Sequence, residues 1–124
     1  MSARTFTRSL GILSALALAT TAVAATAPRL VGNPKAGKAT FVVTCGTCHR
    51  LKAAASTGAI GPDLNRVRLT EATIVKAISE GGSTVMTAAQ LQKYAIQMVA
   101  YKGALTARQI QDVAAFVYVS THPA

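Results

Sequence analysis

Hydrophobic residues recur at helical spacing in four stretches of this chain. From Pro34, the stretch PKAGKATFVVTC puts Gly37 and Phe41 four apart on one face and brings Ala36, Thr40 and Val43 near one another. That spacing predicts a first helix running into Cys45. Asn33 is its expected N-cap, and Pro34 suits the first helical position because the N–H it lacks would have no partner there. A second helix is expected over EATIVKAISE, where Ile74, Ala77 and Ile78 form an apolar stripe. Thr70 caps it, Glu71 adds a favourable first-turn charge, and Gly81 and Gly82 stop it.

A weaker third helix is expected over TAAQLQKYAIQM, with Leu91, Tyr94, Ala95 and Met98 at helical spacing. The last covers ARQIQDVAAFVYVST behind a Thr106 cap, with Ile110, Val113, Ala114 and Val117 facing inward. The stretch RLKAAASTGAIGPDLNRVRL, rich in Gly, Ser, Thr and Pro, reads as a loop wrapping something. Only FVYV alternates like a strand, and it is too short to outweigh the helix around it. The expected class is all-α.

The N-terminus has a different character. Arg4 and Arg8 precede the apolar run LGILSALALA, and AVA follows at residues 22 to 24. That order is the charged, apolar and small-residue sequence of an export signal, with an apolar stretch shorter than the ~20 residues of a membrane-spanning helix. Residues 1–24 are therefore expected to be a cleaved signal peptide and residues 25–124 one small domain, the alternative being a retained anchor. The separated arginines do not make a twin-arginine signal, so the chain is expected to be exported unfolded and loaded outside, in the periplasm or on the outer face of the cytoplasmic membrane.

The domain keeps eleven of thirteen basic residues and all four acidic ones, a net charge of +7. Its cations are scattered singly without an aromatic platform, which argues against nucleic acid. Solubility, with steering toward an acidic partner at low salt, is the better reading of the charge. Membrane contact is expected to be peripheral at most.

The only two cysteines, Cys45 and Cys48, stand two residues apart with His49 directly behind. Zinc would need four ligands, and the domain could supply a fourth only from His122 near the end. A dithiol oxidoreductase would suit an exported protein but usually rides on a βαβ framework. A structural disulfide over so small a loop removes little chain entropy. Covalent attachment of haem, C-x-x-C-H, uses all three residues. Each thiol would form a thioether with one haem vinyl group, and His49 would be carried beneath the ring to offer a nitrogen to iron.

Three blocks in order, AGKATFVVTCGTCH, GPDL and MVAYKGALTARQIQDVAAFVY, resemble a class I c-type cytochrome over nearly the whole domain. The resemblance implies a small cytochrome c fold, three to five helices around one haem c attached through Cys45 and Cys48. It makes His49 the proximal iron ligand, with the Pro62 carbonyl bonded to its far nitrogen, and Leu64 a residue packing on the haem. Met98 opens the methionine block and is the preferred sixth ligand, which makes residues 83–97 an insertion; Met86 is the alternative.

The chain departs from the family at Val99, where proline often stands, and at Arg66, where glycine often does. Gly37 and Phe41 match the face that crosses the last helix near Phe116. Tyr94, Tyr101, Arg66 and Arg68 are within plausible reach of haem propionates or the methionine loop, with solvated surface as the alternative. The implied function is one-electron transfer through a His/Met-ligated haem, by a carrier rather than an enzyme, either free as a monomer or as a subunit of a redox complex. Its partners would be redox proteins such as a dehydrogenase and a terminal oxidase. A haem enzyme or sensor with an open iron site is the alternative, and a dithiol oxidoreductase the other if no haem is attached.

Overall fold

The computed structural model describes residues 29–124, so the signal segment expected over residues 1–24 lies outside the described residues. Among the described residues, four α-helices carry the fold. Helix α1 spans Pro34–Thr44, and the Asn33 side chain accepts the N–H groups of Lys35 and Ala36 at its start. Helix α2 spans Glu71–Glu80, α3 Ala88–Lys93 and α4 Ala107–Thr121. Thr70 caps α2, while Thr87 and Thr106 begin α3 and α4 with reciprocal bonds to Gln90 and Gln109. Each such cap satisfies N–H groups that a helix start would otherwise leave bare.

The core is the crossing of α1 over α4, closed on one side by α2. Phe41 meets Phe116 edge to face at 5.6 Å. A Cβ on Gly37 would overlap the Asp112 carbonyl, so only glycine lets the two backbones approach this closely. Ile110, Val113, Ala114 and Val117 are buried, as their spacing predicts, together with Ile74 and Ile78 from α2.

The buried face of α1 is Gly37 and Phe41, the pair expected on one face, whereas Ala36 and Val43 point to solvent, because a helix lying on one neighbour buries only one stripe. Two expectations need correction. The loop after His49 contains a two-residue antiparallel ladder, β1 at Arg50–Leu51 with β2 at Ser56–Thr57, too short to leave a periodic signal. The third helix stops at Lys93 rather than reaching Met98. Beyond Tyr94 the chain leaves the helix to bond elsewhere: Gly82 N–H donates to the Met98 carbonyl at 3.0 Å, and Tyr101 N–H to the Ile78 carbonyl at 2.8 Å. Tertiary bonds to the end of α2 thus replace the last turn of a helix that periodicity favours. Gly81, with φ of 101°, makes the turn that ends α2 and opens this docking edge. Among the described residues, no helix is long and apolar enough to cross a membrane.

Candidate functional site

Cys45 caps the end of α1, its N–H donating to the Phe41 carbonyl at 2.8 Å. The N–H groups of Cys48 and His49 then both donate to the Cys45 carbonyl, at 3.1 and 3.0 Å. Two thiols and an imidazole therefore leave the backbone within a single helical turn. All three line one cavity of about 360 Å³, walled mainly by apolar side chains such as Leu69, Ile78 and Val117. That volume lies in the ~300–1,000 Å³ range of cofactor sites.

The imidazole is oriented by its neighbours. His49 Nδ1 lies 3.0 Å from the Pro62 carbonyl oxygen. A carbonyl can only accept, so Nδ1 is the donor, and in the neutral ring the lone pair is left to Nε2. Gly61 makes this contact possible, since a Cβ there would sit 2.6 Å from His49 Cε1 and push the ring away. The Gly61 N–H also donates to the Cys48 carbonyl at 2.9 Å, tying the loop to the cysteine turn.

Met86 and Met98 both line the cavity, as does Leu64. Met86 follows the 3-10 turn Gly82–Val85. Met98 packs against the core cluster, and its carbonyl is the one held by Gly82. Tyr94 and Tyr101 also face the cavity, whereas Arg66 and Arg68 are not among its lining residues. Arg66 instead reaches Asp63 at 3.9 Å, and Arg68 donates to the carbonyls of Asn65 and Val67. Arg66 ends an ordinary 3-10 turn that needs no left-handed residue, so its departure from glycine is accommodated. Sequence reasoning missed Ile60, Val67 and Val85 as lining residues, because a loop has no period to mark its inward side.

Thiol chemistry points the same way as geometry. Burial, with the neighbouring Cys48 thiol, pushes Cys45 up to about 11. A thiol-exchange catalyst needs a lowered value, so Cys45 is a poor candidate for that role. Burial, followed by the Cys45 and Cys48 thiols, also raises Tyr101, which keeps its hydroxyl neutral. His122, which a zinc site would require, stacks on Tyr118 at 4.2 Å and is not among the lining residues. What the cavity does hold is the donor set of a covalently attached haem: paired thiols, an imidazole with a free Nε2, and thioether sulfur, all in an apolar enclosure.

A family model described as cytochrome C oxidase, cbb3-type, subunit III matches residues 32–117. No curated protein and no solved structure matches the chain significantly. The matched span runs from the α1 cap through the cysteine turn and the cavity loops into α4. The chain therefore belongs to the cbb3-type cytochrome c oxidase subunit III family, as a class I c-type cytochrome that holds one haem c covalently through Cys45 and Cys48 and carries single electrons.

Proposed function

We propose that His49 and Met98 are the two axial ligands of this cytochrome, with the Pro62 carbonyl holding the His49 ring and Leu64 packing on the haem. The observation that carries the reading is the 3.0 Å approach of His49 Nδ1 to the Pro62 carbonyl beside the two thiols. A bond of that kind fixes the tautomer and raises the basicity of the ligating nitrogen. Met98 is supported over Met86 by its seat on the core and its backbone tie to Gly82. A ligand held by packing need not be ordered again in each oxidation state.

When bound, the haem supplies a reversible one-electron site. The soft sulfur of Met98 favours the reduced state, and the apolar wall keeps water from stabilising the oxidised one. With His49 and Met98 both holding the iron, no position would remain open for oxygen or substrate. The protein then acts as a carrier and not as an enzyme in its own right.

Its place is outside the cytoplasm, in the periplasm or at the outer face of the cytoplasmic membrane, after loss of residues 1–24 as a signal peptide. The family description names an oxidase subunit, which supports a terminal oxidase as acceptor and a dehydrogenase or similar redox protein as donor. The domain serves either as a subunit of such a complex or as a monomeric shuttle. Redox encounters sit at the small end of interface sizes, below ~1,200 Å².

Absorption spectra of the matured ferric protein beside Met98→Ala and Met86→Ala test the ligand assignment. The long-wavelength band of sulfur-ligated ferric haem is expected to vanish in Met98→Ala and persist in Met86→Ala. The reverse pattern would transfer the role to Met86. Absence of that band in the unaltered protein, with ready carbon monoxide binding, would favour the open-iron alternative.

A further inference from the structure

We propose that Ser56 is a positioning residue for His49, holding the proximal loop so that the Pro62 carbonyl stays on the imidazole. This rests on the reading of His49 as the proximal ligand. The Ser56 hydroxyl donates to the His49 carbonyl at 2.9 Å and accepts the Leu51 N–H at 2.9 Å. One oxygen thus joins the residue that bears the imidazole to the first residues beyond it.

The site of this bridge makes it consequential. Leu51 is fully buried, with 0% exposure, so its N–H has no water to turn to if the hydroxyl is removed. A buried donor left unpaired bears the full cost of its lost hydration. That cost falls on a loop with few other supports. β1 and β2 pair over only two residues each, Arg50 with Thr57 and Leu51 with Ser56. Between Ser56 and Pro62 the next backbone tie to the cysteine turn is Gly61 N–H on the Cys48 carbonyl. Further on, the Asn65 side chain accepts the Lys52 N–H at 2.9 Å while donating to Asp63 at 2.7 Å.

Ser56 therefore anchors the near end of the segment whose far end orients His49. Without the hydroxyl, the segment opens more often, and each opening withdraws the Pro62 carbonyl from Nδ1. A weaker bond makes Nε2 less basic and the oxidised iron less stabilised, so the midpoint potential should rise.

The test uses the matured, haem-loaded protein with Ser56→Ala and Ser56→Thr. Deuterium exchange of the His49 Nδ1–H, followed by NMR, reads the frequency of opening directly. Ser56→Ala is expected to speed this exchange about tenfold or more, the factor that corresponds to the loss of one such bond, and to raise the potential. Ser56→Thr, which keeps the hydroxyl, should restore both. Unchanged exchange and potential in a Ser56→Ala protein with normal haem content would overturn the proposal. If Ser56→Ala does not mature, a Ser56→Thr protein with exchange as fast as that of Asn65→Ala, a variant that loosens the loop elsewhere, overturns it equally. Failure of the underlying reading would look different: no imidazole resonances of His49 would carry the shifts of an iron ligand, even in the unaltered protein.

Discussion

The Asp112 carboxylate on α4 accepts the backbone N–H of Asn33, the residue that caps α1, at 2.7 Å. Seventy-nine residues separate the two in the chain. The same oxygen accepts Arg108 Nε–H at 3.1 Å. A buried anion placed at the start of α1 satisfies a donor and complements the positive end of the helix. Since α1 delivers Cys45 at its other end, the bond helps to seat the cysteine turn.

Asp112→Ala should lower the stability of the haem-loaded protein by about 1.5–3 kcal/mol, the loss of a bond from the Asn33 N–H to a charged acceptor. The Arg108 pair contributes little, because that arginine is largely exposed. Asp112→Asn keeps an acceptor and should lose less. Urea unfolding measures both, and a midpoint unchanged in Asp112→Ala would contradict the role given to this bond.

Gly37→Ala should be the more damaging change, costing about 3 kcal/mol or more, because its Cβ would overlap backbone atoms of Asp112 that cannot rotate away. Lys38→Ala, exposed on the same helix, should stay within about 0.5 kcal/mol of the parent. Equal thermal midpoints for the two variants would show that α1 and α4 can separate without loss.

At Gly61 the consequence is spectroscopic. An alanine Cβ 2.6 Å from His49 Cε1 must displace the ring or the loop, breaking the Nδ1 contact with Pro62. The ferric protein should shift from low spin toward high spin and bind carbon monoxide more readily. Retention of the parent spectrum would mean that the ring tolerates a different seat.

Asp63 contributes to the acid sensitivity of the fold. Its carboxyl is held below its ordinary value of 3.8, first by the Asn65 side-chain bond and then by the Asn65 backbone bond and the Arg50 and Arg66 charges. A lowered value means the folded protein favours the charged form, so the contribution is complete above the ordinary value and is lost as pH falls through the lowered one. Thermal midpoints followed downward from about pH 5 should therefore decline less steeply in Asp63→Asn than in the parent. Parallel curves would remove Asp63 from the account.

Much of this protein is written in local patterns. Asn33, Thr70 and Thr106 announce helix starts because a cap is a bond between near neighbours, which needs no tertiary contact. The inward faces of α2 and α4 follow from apolar spacing alone, and Cys45, Cys48 and His49 declare their chemistry because covalent attachment requires a short, fixed separation. Leu91 through Met98 misled for the same reason. Helical spacing describes what a segment can do in isolation, and here bonds from Gly82 and to Ile78 draw the chain out of the helix.

Other features arise only when distant segments meet. Ser56 has no motif, and its hydroxyl matters because folding sets it between His49 and Leu51. Asp112 reads as a surface charge until α1 is laid across α4. Met86 and Met98 are alike as letters, and what separates them is that only Met98 has its backbone bonded to the end of α2 and its side chain on the core. The residue types and their spacing determine which group this chain can hold, since that is a matter of local chemistry. How firmly each contact is held depends on close packing between residues far apart in sequence, which no local pattern encodes.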